Sequence, residues 1–293
     1  MNTNLSTLIA PFKLTQFQEC YLQNEPFFIP QVKAEGIKSL LNLPFLDSLE
    51  SLLECWPKSI QVHLPDLRDE ASSIDTDAEH ALNFYNQGMG LLFNDAQELS
   101  PVLESWVYGV RSELGLSALT YGRNLIYATP DGKGTAPHFD QNINFVLQIK
   151  GIKKWTVATN QHLVNPMTRH TMGQPVDPEM QSYLEVPMPT TMPADAKEYV
   201  LSPGSLLFVP RGSWHSTEAE GDALALNFTF TAPTWIDLLS AALRSRLLLS
   251  PNWRETADLS EKKFDHLLSG LISDLPNWRA EEILAATEAS LEN

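Results

Sequence analysis

Apolar positions along this chain change their period near residue 120. Before that point they recur at helical spacing. Residues 45–56 and 78–87 predict short helices, and 100–114 predicts the clearest one. There Ser100 suits an N-cap and Pro101 the first helical position, while Leu103, Trp106, Val107, Val110 and Leu114 share one stripe. From Tyr121 the texture turns to short β-rich runs over 124–128, 136–149, 153–158, 198–201, 205–209, 214–218 and 223–231. Pro, Gly and Asn punctuate them, and Gly151 reads as the break between the second and third. Short strands separated by turns predict a sandwich or barrel, of which the cupin jelly roll is one kind. Residues 165–195, with Pro166, Pro175, Pro178, Pro187, Pro189 and Pro193, have no period. They read either as a long loop over a barrel mouth or as a solvated connection.

Helices return after Thr231. Thr234 and Asp237 form a capping-box pattern. Residues 236–249 then carry leucines around most of a helix, which needs cover from its own barrel or from a second subunit. Two further helices are expected over 260–272 and 276–291. The chain thus divides into an N-terminal α-rich flank (1–120), a β core (121–232) and a C-terminal helical segment (233–293).

Composition narrows the partners. Of 293 residues, 36 are Asp or Glu against 20 Lys or Arg, a formal net charge of −16. Such a surface repels phosphate backbones, so nucleic acid is disfavoured and a basic polypeptide is compatible. Cys20 and Cys55 form neither a zinc motif nor a disulfide framework. Neither a signal-peptide pattern nor a run long enough to span a bilayer stands out, so a cytoplasmic protein without a membrane segment is expected.

The chemistry concentrates in His138-Phe139-Asp140 and in His215, which ends Val209-Pro210-Arg211-Gly212-Ser213-Trp214-His215. Two imidazoles and one carboxylate make the facial set that holds a non-haem Fe(II) and leaves positions open. On a strand, residues i and i+2 share a face, so His138 and Asp140 can grip one ion. Asn142, Asn144 and Gln148 continue that polar face, interrupted by Val146; it either meets solvent or lines a polar cavity. Lys150, Lys153 and Lys154 follow around the Gly151 turn, and periodicity does not choose among them. His63, His80, His162, His170 and His266 read as surface or cap residues, with His170 notable for bordering the Pro-rich stretch. Trp106, Trp155 and Trp235 read as core. Gly88-Met89-Gly90 is too short for a phosphate loop.

With these motifs the chain resembles the JmjC/cupin-like 2-oxoglutarate oxygenases, the group containing ribosomal-protein oxygenases and asparaginyl hydroxylases. The matching stretches are Thr135-Ala136-Pro137-His138-Phe139-Asp140, 144–155, 203–215 and Leu226-Asn227-Phe228. The resemblance implies a double-stranded β-helix with helical flanks and an Fe(II) held by His138, Asp140 and His215. It further implies 2-oxoglutarate as cosubstrate, with Lys153 and Thr135 at its distal carboxylate and Asn144 and Asn227 near its metal-bound end. A dianion in a barrel needs such a cation, because an unpaired buried charge is costly. Asn142 would face the primary substrate, and Arg211, just before the distal histidine, reads either as a substrate contact or as a surface arginine that stabilises the turn. The implied activity is hydroxylation of a protein or peptide side chain with release of succinate and carbon dioxide. The same chemistry on a small molecule or biosynthetic peptide, methyl-lysine demethylation, and a non-catalytic metal-binding cupin are the alternatives. Related oxygenases dimerise through C-terminal helices, so a homodimer is expected, although the segment after Thr231 is shorter than theirs.

Overall fold

The computed structural model describes residues 3–68, 70–257, 261–279 and 281. Most of the helix expected over 276–291 lies outside the described residues. Among those described, the residues up to Leu116 together with Tyr121–Thr231 make one compact unit; Ser117–Thr120 and the residues from Ala232 onward make a second.

The first unit is built on a single antiparallel sheet. Its strands are β1 (Phe27–Ile29), β2 (Ile60–His63), β3 (Ser73–Thr76), β4 (Gly90–Phe93), β5 (Tyr121–Thr129), β6 (His138–Phe139), β7 (Ile143–Ala158), β8 (His170–Thr171), β9 (Lys197–Leu201), β10 (Leu206–Val209) and β11 (Trp214–Thr231). The hydrogen-bonded order is β1-β10-β7-β11-β5-β4-β2-β3, with β6 on β11, β8 on β6 and β9 on β7. Helices dominate the stretch before residue 120, as its period predicts, yet β1 to β4 also come from it and extend the sheet. These strands run three or four residues each, too short for a period of two to stand out from their helical surroundings.

The long strands β7 and β11 shape the site. Gly151 does not end a strand: β7 runs through it with φ +67°, where a Cβ would lie 2.1 Å from the Asp222 carbonyl. Opposite it, β11 shifts register between Glu220 and Leu224. On one side of this bend β7 pairs with β10, and on the other with β9. Gln148, fully buried at the bend, donates to the Lys150 and Leu224 carbonyls at 2.6 and 3.4 Å. The bend carries residues from both halves of β7 and β11 into one cavity.

The outer face of this sheet packs under the N-terminal helices. Phe145, Leu147, Phe208, Leu226 and Phe228 join Phe17, Trp106 and Val110 in one core. The helix Pro101–Glu113 buries its predicted stripe of Leu103, Trp106, Val107 and Val110 there. The inner face keeps a smaller apolar floor of Val146, Trp155, Val157, Leu207, Val209 and Ala225. Val146, the interruption in the polar face, belongs to that floor.

Residues 165–195 are structured rather than a solvated connection. They supply β8 and the short helix Pro178–Tyr183, and Met180 and Leu163 pack with Phe139, Ala158 and Trp214 in a core of their own. Prolines and methionines conceal this, because neither sets a period. In the second unit, helix Trp235–Leu248 begins with the predicted Thr234–Asp237 capping box, and helix Glu261–Asp274 follows. Arg246 binds both carboxylate oxygens of Asp274 at 2.8 Å. Trp235 is 82% exposed, so the core role read for it does not hold.

Candidate metal and cosubstrate site

His138 and His215 are directly opposite one another on β6 and β11. Their ring centroids are 4.1 Å apart. The strand ends at Phe139, so Asp140 opens the bend toward β7 instead of continuing a ladder; its Oδ2 nevertheless lies 3.9 Å from His138 Nε2 and 3.6 Å from His215 Nε2. Ligand atoms from the three residues all lie within 4.8 Å of one another, as a shared ion requires.

Each ring is oriented from behind. His138 Nδ1 donates to the Ala136 carbonyl at 2.7 Å, and His215 Nδ1 to the Ser213 carbonyl at 2.9 Å. A carbonyl only accepts, so Nδ1 carries the proton and the Nε2 lone pairs face Asp140. Burial holds both rings below the ordinary histidine range, His138 well below it, with His215 and Arg169 adding to the effect there. Neutral rings with free lone pairs are the form that binds a metal. Trp155 stacks on His215 at 5.6 Å and 21°, which places it in the cavity wall as well as in the apolar floor.

Arg169, just before β8, is a site residue that the sequence reading missed. Its Nε donates to Asp140 Oδ1 at 3.0 Å and its Nη1 to Thr171 Oγ1 at 3.0 Å. Oδ1 is thereby engaged, and Oδ2 is the oxygen nearer the histidines. The 165–195 segment braces the other ligands too. Thr171 is the β8 partner of His138, and Trp214, beside His215, packs against Phe139 at 4.7 Å. His170 is buried among these rings, and His63 is also buried, so neither is a surface residue. Arg169→Ala should free Oδ1 to join Oδ2 on a bound metal. With Co(II) as the probe, we expect weaker visible absorption, the mark of a higher coordination number; Arg169→Lys should preserve the wild-type spectrum.

A cavity of about 280 Å³ opens over the three ligands. Its wall includes Thr135, Asn142, Asn144, Lys153, Thr217 and Asn227, so the polar face from His138 to Asn144 lines a cavity, while Gln148 is taken up by the bend. Of the three candidate lysines, Lys150 is exposed and donates to the Asp47 carbonyl, Lys154 is half-buried on the other face of the strand, and Lys153 is 3% exposed. Lys153 Nζ donates to Thr129 Oγ1 at 2.9 Å, and among the described residues no carboxylate pairs with it. Burial alone pulls its pKa down from 10.5 to about 8. Thr135 Oγ1 and Thr217 Oγ1 are 2.9 Å apart. Asn144 accepts from Thr229 Oγ1 at 2.8 Å, and the buried Asn227 Oδ1 has no hydrogen-bond partner among the described residues. Asn142 lines the cavity and accepts from Thr231 at 2.7 Å, whereas Arg211 lies outside the wall and donates to the Pro166 carbonyl at 2.8 Å. Glu70, bonded to Tyr127 Oη at 3.1 Å, also lines the cavity, its pKa raised by burial and by Asp140.

The donor set fits the expected cofactors. Two neutral imidazoles and a carboxylate suit Fe(II), and a buried ammonium without a counter-ion among the described residues suits a ligand carboxylate.

A JmjC-domain family model matches residues 113–238. The uncharacterized protein YxbC of Bacillus subtilis (strain 168) is 31% identical over 284 residues, 92% of this chain and 86% of that protein. The chain belongs to the JmjC-domain family. Fe(II) and 2-oxoglutarate are the cofactors that go with JmjC oxygenases. Ribosomal oxygenase 1 of Rattus norvegicus is 30% identical over 170 residues, 56% of this JmjC chain and 25% of that protein, so the chain spans about a quarter of that relative's length. The X-ray structure of E. coli ycfD shares the fold over 93% of this chain and 70% of that chain, with TM-score 0.57 and 17% identity.

Proposed function

We propose that this JmjC protein is an Fe(II)- and 2-oxoglutarate-dependent oxygenase that hydroxylates a protein or peptide side chain. One observation carries the reading: His138, Asp140 and His215 share a cavity with Lys153, a buried cation without a carboxylate partner among the described residues. A non-catalytic cupin needs the first three residues but has no use for the fourth.

Bound iron with 2-oxoglutarate supplies the oxidising chemistry, with succinate and carbon dioxide as coproducts. The protein's share is positioning. His138, Asp140 Oδ2 and His215 hold the metal, and Arg169 keeps Asp140 in register. Lys153 neutralises the distal carboxylate of the cosubstrate, with Thr135 as a further hydroxyl beside it. Asn227 Oδ1 and the Asn144 amide stand toward the metal-bound end. Trp155 shields one face of His215 from water. Glu70 and Asn142 occupy cavity wall left for the primary substrate, and the net charge of −16 favours a basic polypeptide.

The test is succinate formation from 2-oxoglutarate with added Fe(II) and ascorbate. Mass spectrometry of the source strain against its deletion should then find proteins that gain one oxygen atom only when the gene is present. Formaldehyde release in place of oxygen gain would indicate demethylation, and absence of any succinate would indicate a binding cupin.

We place the enzyme in the cytoplasm as a homodimer. Cys20 and Cys55 are unpaired, which fits a reducing compartment, and no helix among the described residues is long and apolar enough to cross a membrane. On the C-terminal helices Trp235, Ile236, Leu239, Phe264 and Ile272 are all more than half exposed, which favours a partner surface. Light scattering should give twice the mass of one chain, and Ile236→Glu with Leu239→Glu should halve it.

A further inference from the structure

Lys153 faces a second cavity as well as the first. This second space, of about 390 Å³, lies beside the first and shares Tyr127, Thr135 and Lys153 with it. Its inner end is buried, at Lys153, Thr129, His63 and Leu91, and its rim is exposed, at Arg68, Gln87, Gly132 and Lys133. It therefore runs from the surface to the back of the same ammonium that the metal cavity reaches from the front.

The charge along it is graded toward an anion. Arg68 and Lys133 stand at the rim and Lys153 at the depth, against one carboxylate among the described residues, Asp66, already bound by Ser72 Oγ at 2.6 Å. Nothing in the metal site uses Arg68 or Lys133. The rim is held in place: Gly132 N donates to the Ala219 carbonyl at 3.0 Å and Ala219 N to the Lys133 carbonyl at 2.7 Å. Gly134 is pressed so close to the Thr217 carbonyl that a Cβ would lie 1.8 Å from it. Gly88, at φ +85°, leaves room for the Lys133 stem, whose Cε would otherwise meet a Cβ at 2.9 Å.

We propose that this second cavity is the route by which short dicarboxylates reach and leave Lys153, separate from the metal-side cavity that takes the primary substrate. The proposal rests on the cosubstrate reading above. The rear funnel sets Arg68, Lys133 and Lys153 against Asp66 among the described residues, whereas the metal-side wall sets Arg123, Arg169 and Lys153 against both Glu70 and Asp140, so the funnel is the less acidic of the two approaches. Tyr127, Thr135 and Lys153 stand in the walls of both spaces, and the route requires those side chains to move aside for a slender acid.

The test is anaerobic stopped-flow binding of 2-oxoglutarate to the Fe(II)-loaded protein, followed by absorbance of the metal–keto acid chelate, with calorimetry for the equilibrium. Arg68→Glu with Lys133→Glu, both at exposed positions, should slow association about tenfold, weaken its dependence on salt and leave dissociation nearly unchanged, as loss of electrostatic steering does. Gln87→Trp, which narrows the rim, should slow association and dissociation alike and leave the equilibrium constant unchanged. Arg123→Gln, on the metal-side wall, should leave the association rate within a factor of about two. An unchanged association rate in the Arg68/Lys133 variant, or slowing confined to Arg123→Gln, overturns the route. No binding by the wild-type protein overturns the cosubstrate reading, and the route with it.

Discussion

Replacing His215 by alanine is expected to remove metal binding and, with it, all succinate formation. The three ligands converge only because β11 sets His215 opposite His138, and no other described histidine or acid joins their cluster to take the vacated position. Loss of an outer-shell partner typically costs 10–100-fold in affinity or activity. Loss of an inner ligand from a three-residue set should exceed that, so we expect more than about a 100-fold weaker affinity for Fe(II) or Co(II). His215 is 4% exposed and packs against Trp155, so folding must be checked by circular dichroism. His215→Gln keeps much of the volume and should lose metal just as completely. Calorimetry with Co(II) that finds wild-type affinity in either folded variant would sink the triad.

Much of this site could be read from the chain because strands report on themselves. His138 and His215 come from sequence whose alternation or motif context is visible, Lys153 was singled out from its neighbours by the family resemblance alone, and the structure brings all three around one cavity. Once Lys153 and His215 are chosen, their i+2 neighbours Trp155 and Thr217 follow from the pleat, and Asn227 implies Thr229 and Ala225 in the same way. Arg169 and Glu70 had no such signal. Both sit in connections, where no period ties a side chain to a face, and both reach the site only through the fold of the segments around them. The bend at Gly151 was misread for a related reason. A glycine between two β runs is as consistent with a turn as with a kink, and only the matching irregularity near Gly221 on β11 decides between them. The short strands β1 to β4 were lost for want of length, and the Pro- and Met-rich segment for want of period.

The same segment explains why the metal site is a property of the whole barrel end and not of a motif. Thr171 pairs with His138, Arg169 holds Asp140, and His170 lies against both Phe139 and Trp214 at 5.8 and 6.0 Å. A change in the small core around Met180 should therefore be felt at the ligands before it is felt at the barrel core. Met180 is fully buried, and Met180→Ala is expected to cost about 2–5 kcal/mol of stability and to weaken Co(II) binding together with it.

Lys153→Met is expected to stabilise the ligand-free protein while removing its affinity for 2-oxoglutarate. Burial has lowered the pKa of this lysine from 10.5 to about 8, and that gap corresponds to about 3 kcal/mol that the buried ammonium costs the folded state. The sign follows from proton binding. Between about pH 8 and 10.5 the unfolded chain binds this proton and the folded protein does not, so stability rises with pH across that window. Below about pH 8 the full cost is present, and there the methionine variant should exceed the wild type by up to about 3 kcal/mol in urea unfolding; the difference should close by about pH 10.5. Binding should move in the opposite direction. A dicarboxylate supplies the partner that the ammonium lacks, and breaking a buried pair of this kind costs about 3–5 kcal/mol, a weakening of at least about 100-fold. In the wild type the affinity should also fall about tenfold for each pH unit above about 8, because the ammonium must first be re-formed. Lys153→Arg, charged throughout this range, should bind with no such decline. Calorimetry across pH 7 to 10 on the three proteins reads all of this. A methionine variant that is no more stable than the wild type and binds 2-oxoglutarate equally well would mean that Lys153 is a packing residue, and that the charge for the cosubstrate comes from elsewhere in the wall.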